Sequence, residues 1–411
     1  MTQQQHIDKD IDKDQDGTGA LDARRTIAND ADGMALALAW AARGMYITAP
    51  NPRIGCVIVR DGVVIGAGHT QPAGQAHAEI QALRDAAARG NDVRGATAYV
   101  TLEPCSHHGR TPPCSDALVR AGLGRVVAAM ADPNPLVAGR GLAQLAAAGI
   151  AVESGVLADA AHELNIGFFS RMRRGLPWVR LKVAASLDGA TALAGGESQW
   201  ITGPEARADG HAWRARAGAI LTGIGTVKAD DPQLTVRGID TPLQPRRVIV
   251  DSRLEIDPGA RILAGAPCWI VAAADSADSA AGDAAQAARA AALRAAGHEI
   301  LVLPNARGKV DLPALMRELG RREINEVHVE AGAKLNASMV REGCVDELLV
   351  YLAPSLIGPG QGMFDLPPLA ALAERRRLRF HDAARVGADL RILARFAEAP
   401  AKADEGAAAQ H

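Results

Sequence analysis

The feature that most constrains this chain is His77-Ala78-Glu79 taken with Pro104-Cys105 and Cys114. One imidazole and two sulfurs, carried by three separate segments, can hold a zinc ion and leave its fourth position open to water. Structural zinc is closed by four protein ligands, whereas three ligands and an open position mark a catalytic site. A carboxylate two residues after the His is too close along the chain to make an easy fourth ligand. It can instead reach that water as a proton shuttle. Any fold for the chain has to bring these three segments together.

The surrounding pattern says how. A helix over Met34–Arg43 is followed by Asn51-Pro52, a strand over Ile54–Arg60, an Asp61-Gly62 hairpin signal and a return through Val63-Val64-Ile65. His77 opens a helix whose Ile80, Leu83 and Ala87 face one side. Ala96–Leu102 and Arg125–Met130 read as strands, Asp116–Ala121 and Gly141–Ala148 as helices, and Ile150–Glu153 as a short strand. Such alternation implies an α/β domain with a largely parallel sheet and helices on both faces.

Arg171–Pro177, basic and broken by Gly175 and Pro177, reads as a domain boundary. A second α/β pattern then begins, with strands at Val179–Ala184, Ala219–Thr222, Arg247–Val250, Cys268–Val271, Glu299–Leu303, Glu326–Glu330 and Glu347–Leu352. A hairpin near 378–396 is expected to close that sheet. The Ala-rich stretch from Ala272 to Ala296 suits either a helix or an insert without function. The expected division is an acidic tail over 1–30, one domain over 31–175, a second over 176–397 and a tail over 398–411.

At 411 residues the chain exceeds one ordinary core, which supports two domains. A net charge of -2, no long basic run and 3% aromatics argue against a nucleic-acid surface. The first apolar run, Met34–Ala42, is far shorter than the ~20 residues of a membrane span and follows an acidic stretch, so no signal peptide is expected. Cys56, Cys105, Cys114, Cys268 and Cys344 form no dense framework, which suits free thiols in a reducing cytoplasm. Asp12, Asp14, Asp16 and Gly17 imitate the opening of a calcium loop. The bidentate Glu such a loop needs is replaced by Ala23, so calcium is not expected there.

A lone His or Cys is usually structural, and the zinc reading rests on the combination. His-x-Glu followed by Pro-Cys-x-x-Cys is the signature of zinc nucleobase deaminases. Here the cysteines are nine apart, separated by Ser106-His107-His108-Gly109-Arg110-Thr111 and Pro112-Pro113. Cys114 falls at an expected helix N-terminus, where the dipole favours thiolate. Zinc lowers the pKa of bound water from ~15.7 to about 7, and Glu79 is the group placed to move protons to a ring nitrogen and to departing ammonia. His107 and His108 are rival ligands by type only, since the cysteines complete the set.

The run Thr101-Leu102-Glu103-Pro104-Cys105-Ser106-His107-His108-Gly109-Arg110-Thr111-Pro112-Pro113-Cys114 closely resembles the bifunctional riboflavin-biosynthesis deaminase/reductase family. So do Asn51-Pro52 with Gly55, and Ala131-Asp132-Pro133-Asn134-Pro135 followed by Gly139-Arg140-Gly141. The likeness covers about residues 33 to 396. It implies a cytidine-deaminase-like three-layer domain followed by a dihydrofolate-reductase-like α/β domain. The first would deaminate a diaminopyrimidinone carrying a ribosylamino 5′-phosphate; the second would use NADPH to reduce the ribosyl group to ribityl. His77, Cys105 and Cys114 would bind one zinc, Glu79 would be the proton donor and Asn51 would touch substrate, although Asn51-Pro52 also suits a plain turn.

The second half has no Gly-x-Gly-x-x-Gly after its first strand, so an ordinary dinucleotide fold is not indicated. A strand ending in Glu330 instead leads through Ala331 into Gly332, Ala333, Lys334, Leu335, Asn336, Ala337 and Ser338, small residues that let helix N–H groups approach a phosphate. The resemblance assigns these to NADPH, along with Ala184, Trp200, Thr226, Asp230 and Ser252. Many relatives carry Gly where Ala331 stands. It assigns Ser198, Arg214, Leu234, Arg237 and Glu330 to the substrate. Two arginines suit a ribose phosphate, which is best held by planar bidentate donors. Asp230 or Glu330 can steer the proton of the reduction. The expected partner is a small phosphorylated pyrimidine, with no nucleic acid or membrane; a homo-oligomer is left open.

Overall fold

The computed structural model describes residues 26–106, 112–134, 138–274 and 284–397. The calcium-like run at Asp12–Gly17 and the rival ligands His107 and His108 lie outside these residues. Two compact units are present, the main division falling between Pro177 and Trp178, with Thr241–Leu243 and Glu323–Asn325 grouping with the first. No helix among the described residues is long and apolar enough to cross a membrane.

The first unit begins with α1 (Asp30–Arg43), whose N-cap Asn29 side chain accepts from the Asp32 amide at 3.0 Å. It continues with β1 (Gly55–Arg60), β2 (Val63–His69), α2 (Ala78–Ala88), β3 (Thr97–Val100), α3 (Cys114–Ala121), β4 (Arg125–Ala128), α4 (Arg140–Ala147), β5 (Ala151–Ser154), α5 (Ala158–Leu164) and α6 (Ile166–Arg174). The sheet order is β2-β1-β3-β4-β5. β1 runs antiparallel to both β2 and β3, and only β3–β4 and β4–β5 are parallel, so the sheet is mixed where a largely parallel one was expected. The Asp61-Gly62 turn, with both residues at positive φ, makes the first pair a tight hairpin, and periodicity alone cannot show direction. α1 covers one face through Met34, Leu36, Ala37 and Leu38 against Val57, Val59 and Val127. On the opposite face, α2, α3 and α4 contribute Ala82, Leu118 and Leu145 to a core with Ile58, Val100 and Val126.

α2 packs on the sheet through small residues. Its buried face is Ala78, Glu79, Ala82 and Ala86, while Ile80 and Leu83 are half-buried and Ala87 is exposed. The reason is close approach. A Cβ at Gly66 of β2 would stand 2.5 Å from the Ala82 carbonyl oxygen, and one at Gly68 would stand 2.7 Å from the Ala82 nitrogen. A helix this near the sheet has room only for alanine, and the approach sinks Glu79 into the core.

The second unit carries β6 (Trp178–Ser186), β7 (Ala190–Leu193), α7 (Pro204–Arg216), β8 (Ala219–Gly223), α8 (Ile224–Asp230), β9 (Arg246–Val250), β10 (Trp269–Ala272), α9 (Ala284–Ala295), β11 (Glu299–Val302), α10 (Leu312–Arg321), β12 (Glu326–Val329), α11 (Ala333–Arg341), β13 (Glu347–Ala353), β14 (Gly360–Gly362), β15 (Leu378–Val386) and β16 (Asp389–Phe396). Nine strands form one sheet in the order β11-β10-β9-β8-β12-β6-β13-β16-β15. From β11 to β13 every pairing is parallel; the β15–β16 hairpin adds the antiparallel edge. Part of the Ala-rich stretch is helical, as α9.

Beside an apolar cluster of Ala206 with Leu349, Tyr351 and Leu393, the sheet face under α7 carries a buried charge network. Arg180 of β6 is buried and pairs with Glu326 of β12 at 3.1 Å and Glu347 of β13 at 2.6 Å. Arg216 closes on Glu326 and Arg395 on Glu347. The Trp213 ring lies 4.3 Å from the Arg180 guanidinium carbon. This network fixes α7 over the strands whose C-terminal ends build the second candidate site.

Two candidate active sites

In the first unit, the three residues singled out by spacing converge. His77 is the N-cap of α2, Cys114 is the first residue of α3, and Cys105 lies in the turn after β3. The ligand atoms lie within 4.8 Å of one another. His77 Nδ1 is 3.6 Å from Cys105 Sγ and 3.4 Å from Cys114 Sγ. A tetrahedral zinc with ~2.3 Å bonds to sulfur and ~2.1 Å to nitrogen holds such atoms about 3.6 Å apart. The donor set and its spacing therefore fit the ion.

The electrostatics agree. The Cys114 amide donates to Cys105 Sγ at 3.3 Å. The Cys114 thiol and His77 beside it pull Cys105 down to about 4, despite its burial. Cys114 is pushed up because it shares its proton with Cys105 and is buried. The hydrogen bond to Cys105 raises His77. Glu79 is 2% exposed, and its Oε2 has no hydrogen-bond partner. Burial, then the Cys105 thiolate, pushes it up to about 7. Asn51 is half-buried in the turn before β1, its amide donating to the Thr48 carbonyl.

In the second unit, the parallel β8 and β12 end side by side, and a helix starts after each. A Cβ at Gly332, the N-cap of α11, would lie 3.8 Å from Thr226 Oγ1 on α8, and one at Gly223 would lie 3.0 Å from Leu335. Thr226, Gly332, Ala333 and Leu335 are thus brought together. Asn336 is buried, donates to the Met363 carbonyl and leaves Oδ1 unpaired. Ala337 is buried, Lys334 is exposed, and the Ser338 hydroxyl donates back to the Lys334 carbonyl one turn earlier. Ser252, after β9, accepts from the Val310 amide. Asp230 ends α8 in an exposed position, raised by partial desolvation.

Glu330, beyond β12, accepts from two of the three Arg214 guanidinium nitrogens, Nε and Nη2. Burial would raise Glu330, but Arg214, Lys182 and His328 hold it well below the usual carboxylate range. Arg214 spends its remaining arm on the Thr235 carbonyl at 3.1 Å. The Arg237 amide donates to His211 Nδ1, and its side chain bonds to Thr235 Oγ1. Burial and the two arginines lower His211 to about 4. Lys182 and His211 are two charged or titratable neighbours the sequence reading did not select; the strand parity that puts Lys182 on the face of Glu330 was the available signal. Leu234 is a core residue held at φ +47. Ala184 is half-buried beside Tyr351, and Ser198 is half-buried. Trp200 is 69% exposed under the Arg207 guanidinium.

The family comparisons follow the same division. Residues 27–130 match the cytidine and deoxycytidylate deaminase zinc-binding region, and residues 177–392 match the RibD C-terminal domain. The riboflavin biosynthesis protein RibD of Escherichia coli is 47% identical over 371 residues, covering 87% of this chain and 96% of that protein. The chain belongs to the RibD family. The RibD of Aquifex aeolicus is 39% identical, over 89% of this chain and 98% of its own. Among solved structures, RibD of Acinetobacter baumannii aligns with a TM-score of 0.79 at 42% identity, covering 90% of this chain and 99% of that one. A diaminohydroxyphosphoribosylaminopyrimidine deaminase/5-amino-6-(5-phosphoribosylamino)uracil reductase of Thermotoga maritima aligns at 0.78 and 30% identity, with the same coverage. The first unit is accordingly cytidine-deaminase-like, and the second has the dihydrofolate-reductase-like fold of the RibD reductase. This RibD-family chain is a bifunctional deaminase and reductase of riboflavin biosynthesis, with zinc serving the first activity and NADPH the second.

Proposed function

We propose that residues 31–175 deaminate 2,5-diamino-6-ribosylamino-4(3H)-pyrimidinone 5′-phosphate, and that residues 176–397 reduce the product to 5-amino-6-ribitylamino-uracil 5′-phosphate. His77, Cys105 and Cys114 hold the zinc, which supplies Lewis acidity and a water of lowered pKa. Glu79, buried with its Oε2 unpaired, accepts a proton from the attacking water and returns it to the pyrimidine ring nitrogen, then takes the proton of the hydroxyl added at the ring carbon and passes it to the departing ammonia. Asn51 contacts the pyrimidine. The observation that carries this reading is the convergence of one imidazole nitrogen on two sulfurs, at 3.4 and 3.6 Å, beside a buried carboxyl with one oxygen unpaired.

In the reductase, Thr226, Asp230, Ser252, Gly332, Ala333, Lys334, Leu335, Asn336, Ala337 and Ser338 hold NADPH, with Ala184 and Trp200 toward its nicotinamide. Ser198, Leu234, Arg237 and Glu330 bind the phosphorylated substrate. Arg214 orients Glu330, since its fork is already engaged there, which leaves the phosphate to Arg237. Five free cysteines support work in a reducing cytoplasm. A chelator tests the division. It should abolish ammonia release from the diaminopyrimidinone and leave NADPH oxidation with the deaminated substrate intact; loss of both would refute the assignment.

A further inference from the structure

The motif residues Glu103, Asp132, Gly139 and Gly141 have no role in the chemistry above, yet they form a closed structure around a metal ligand. Glu103 is 2% exposed and meets no cationic side chain among the described residues. Its two carboxylate oxygens instead accept four backbone N–H groups. Oε2 takes Asp132 at 3.0 Å and Gly139 at 2.8 Å; Oε1 takes Gly141 at 2.8 Å and Leu142 at 3.3 Å. The Glu103 amide donates to the Met130 carbonyl at 3.0 Å. The carboxylate therefore sits at the start of α4, where orphan amides and the helix dipole compensate a buried anion.

α4 returns to the metal site by a second route. Gln144, on α4, places its Oε1 2.8 Å from the hydroxyl of Ser115, and that hydroxyl lies 3.1 Å from the Cys105 carbonyl oxygen. The Ser115 amide donates to the same carbonyl at 3.1 Å. Glu103, α4, Gln144, Ser115 and Cys105 thus form a ring that the Glu103-Pro104-Cys105 backbone closes. Gly141 shows how tightly it is drawn, since a Cβ there would stand 2.0 Å from the Pro104 carbonyl oxygen.

We propose that Glu103 is a positioning residue for the deaminase metal centre, clamping α4 so that Cys105 is held at ligand distance from His77 and Cys114. The inference rests on Cys105 being a ligand. Outer contacts of this kind are worth roughly 10–100-fold in metal affinity or activity.

The test uses the full chain with Glu103→Gln, which keeps the shape but not the charge, and Glu103→Asp, which keeps the charge but withdraws it by one methylene. Zinc affinity is measured by competition with a chromophoric chelator, and Co2+ loaded in place of zinc reports thiolate geometry by its charge-transfer band. Glu103→Gln should weaken zinc at least about tenfold, shift the cobalt band and lower deaminase kcat more than it changes KM. Glu103→Asp should fall between Glu103→Gln and wild type, and NADPH oxidation should stay within about twofold of wild type in both. Should Glu103→Gln fail to accumulate, Gln144→Leu opens the ring from its other side and should shift zinc affinity and the cobalt band in the same direction. Wild-type zinc affinity and cobalt spectrum in the variants would overturn the proposal. Cys105→Ser separates the two failures: zinc retained there would refute the ligand reading itself.

Discussion

Glu79 and Glu330 are both glutamates sunk beside an active site, and their surroundings drive them in opposite directions. Glu79 faces sulfur and alanine, has an oxygen with no partner, and is pushed up to about 7. Glu330 is gripped by Arg214 and held well below the usual carboxylate range. A carboxyl that must take and return protons needs freedom from a fixed cation, while one that must present a constant charge to a ligand needs such a cation. On the proposed assignment, the two units use the same side chain as a proton carrier and as a fixed anion.

Substitutions can break this contrast. Glu79→Gln should lower deaminase kcat by roughly 10²–10⁴-fold, with zinc content and NADPH oxidation unchanged; turnover at the wild-type rate with zinc bound would end the proton-carrier role. Arg214→Met strands the Glu330 charge and should destabilise the reductase unit by about 3 kcal/mol, read as earlier loss of NADPH oxidation on heating while ammonia release persists. Equal heat resistance would mean that the pair is incidental. Arg237→Ala should raise the reductase KM for the phosphorylated substrate about tenfold, the scale of one hydrogen bond to a charged group, with a smaller effect on a dephosphorylated analogue. Smallest of all, Gly66→Ala should cost the deaminase unit about 1–3 kcal/mol by pushing α2 off β2. Its thermal inactivation should come earlier, and an unchanged midpoint would show that the helix can move away freely.

Much of the deaminase site was legible because its residues announce themselves by type: a His, two Cys and a Glu at fixed offsets admit few alternatives. The surroundings were less so. Spacing puts Ile80, Leu83 and Ala87 on one side of α2 but does not say how near the sheet that helix lies. Gly66 and Gly68, on another strand, decide instead that alanines go inside. The antiparallel β1–β3 pairing and the helices α5 and α6 carried no distinctive local signal. In the reductase half, β7 and β14 are too short to read. The Arg214–Glu330 pair joins residues 116 apart, so only the fold could show that one expected phosphate ligand was already engaged.

The central claim is that one chain holds two chemically independent sites acting in sequence. Supplying the diaminopyrimidinone ribosyl phosphate with and without NADPH, and following ammonia release and NADPH oxidation separately, tests it most directly. Ammonia should appear at the same initial rate in both mixtures, with NADPH consumed only after a lag and in equal amount. Ammonia release that requires NADPH, or NADPH oxidation without prior ammonia release, would contradict it.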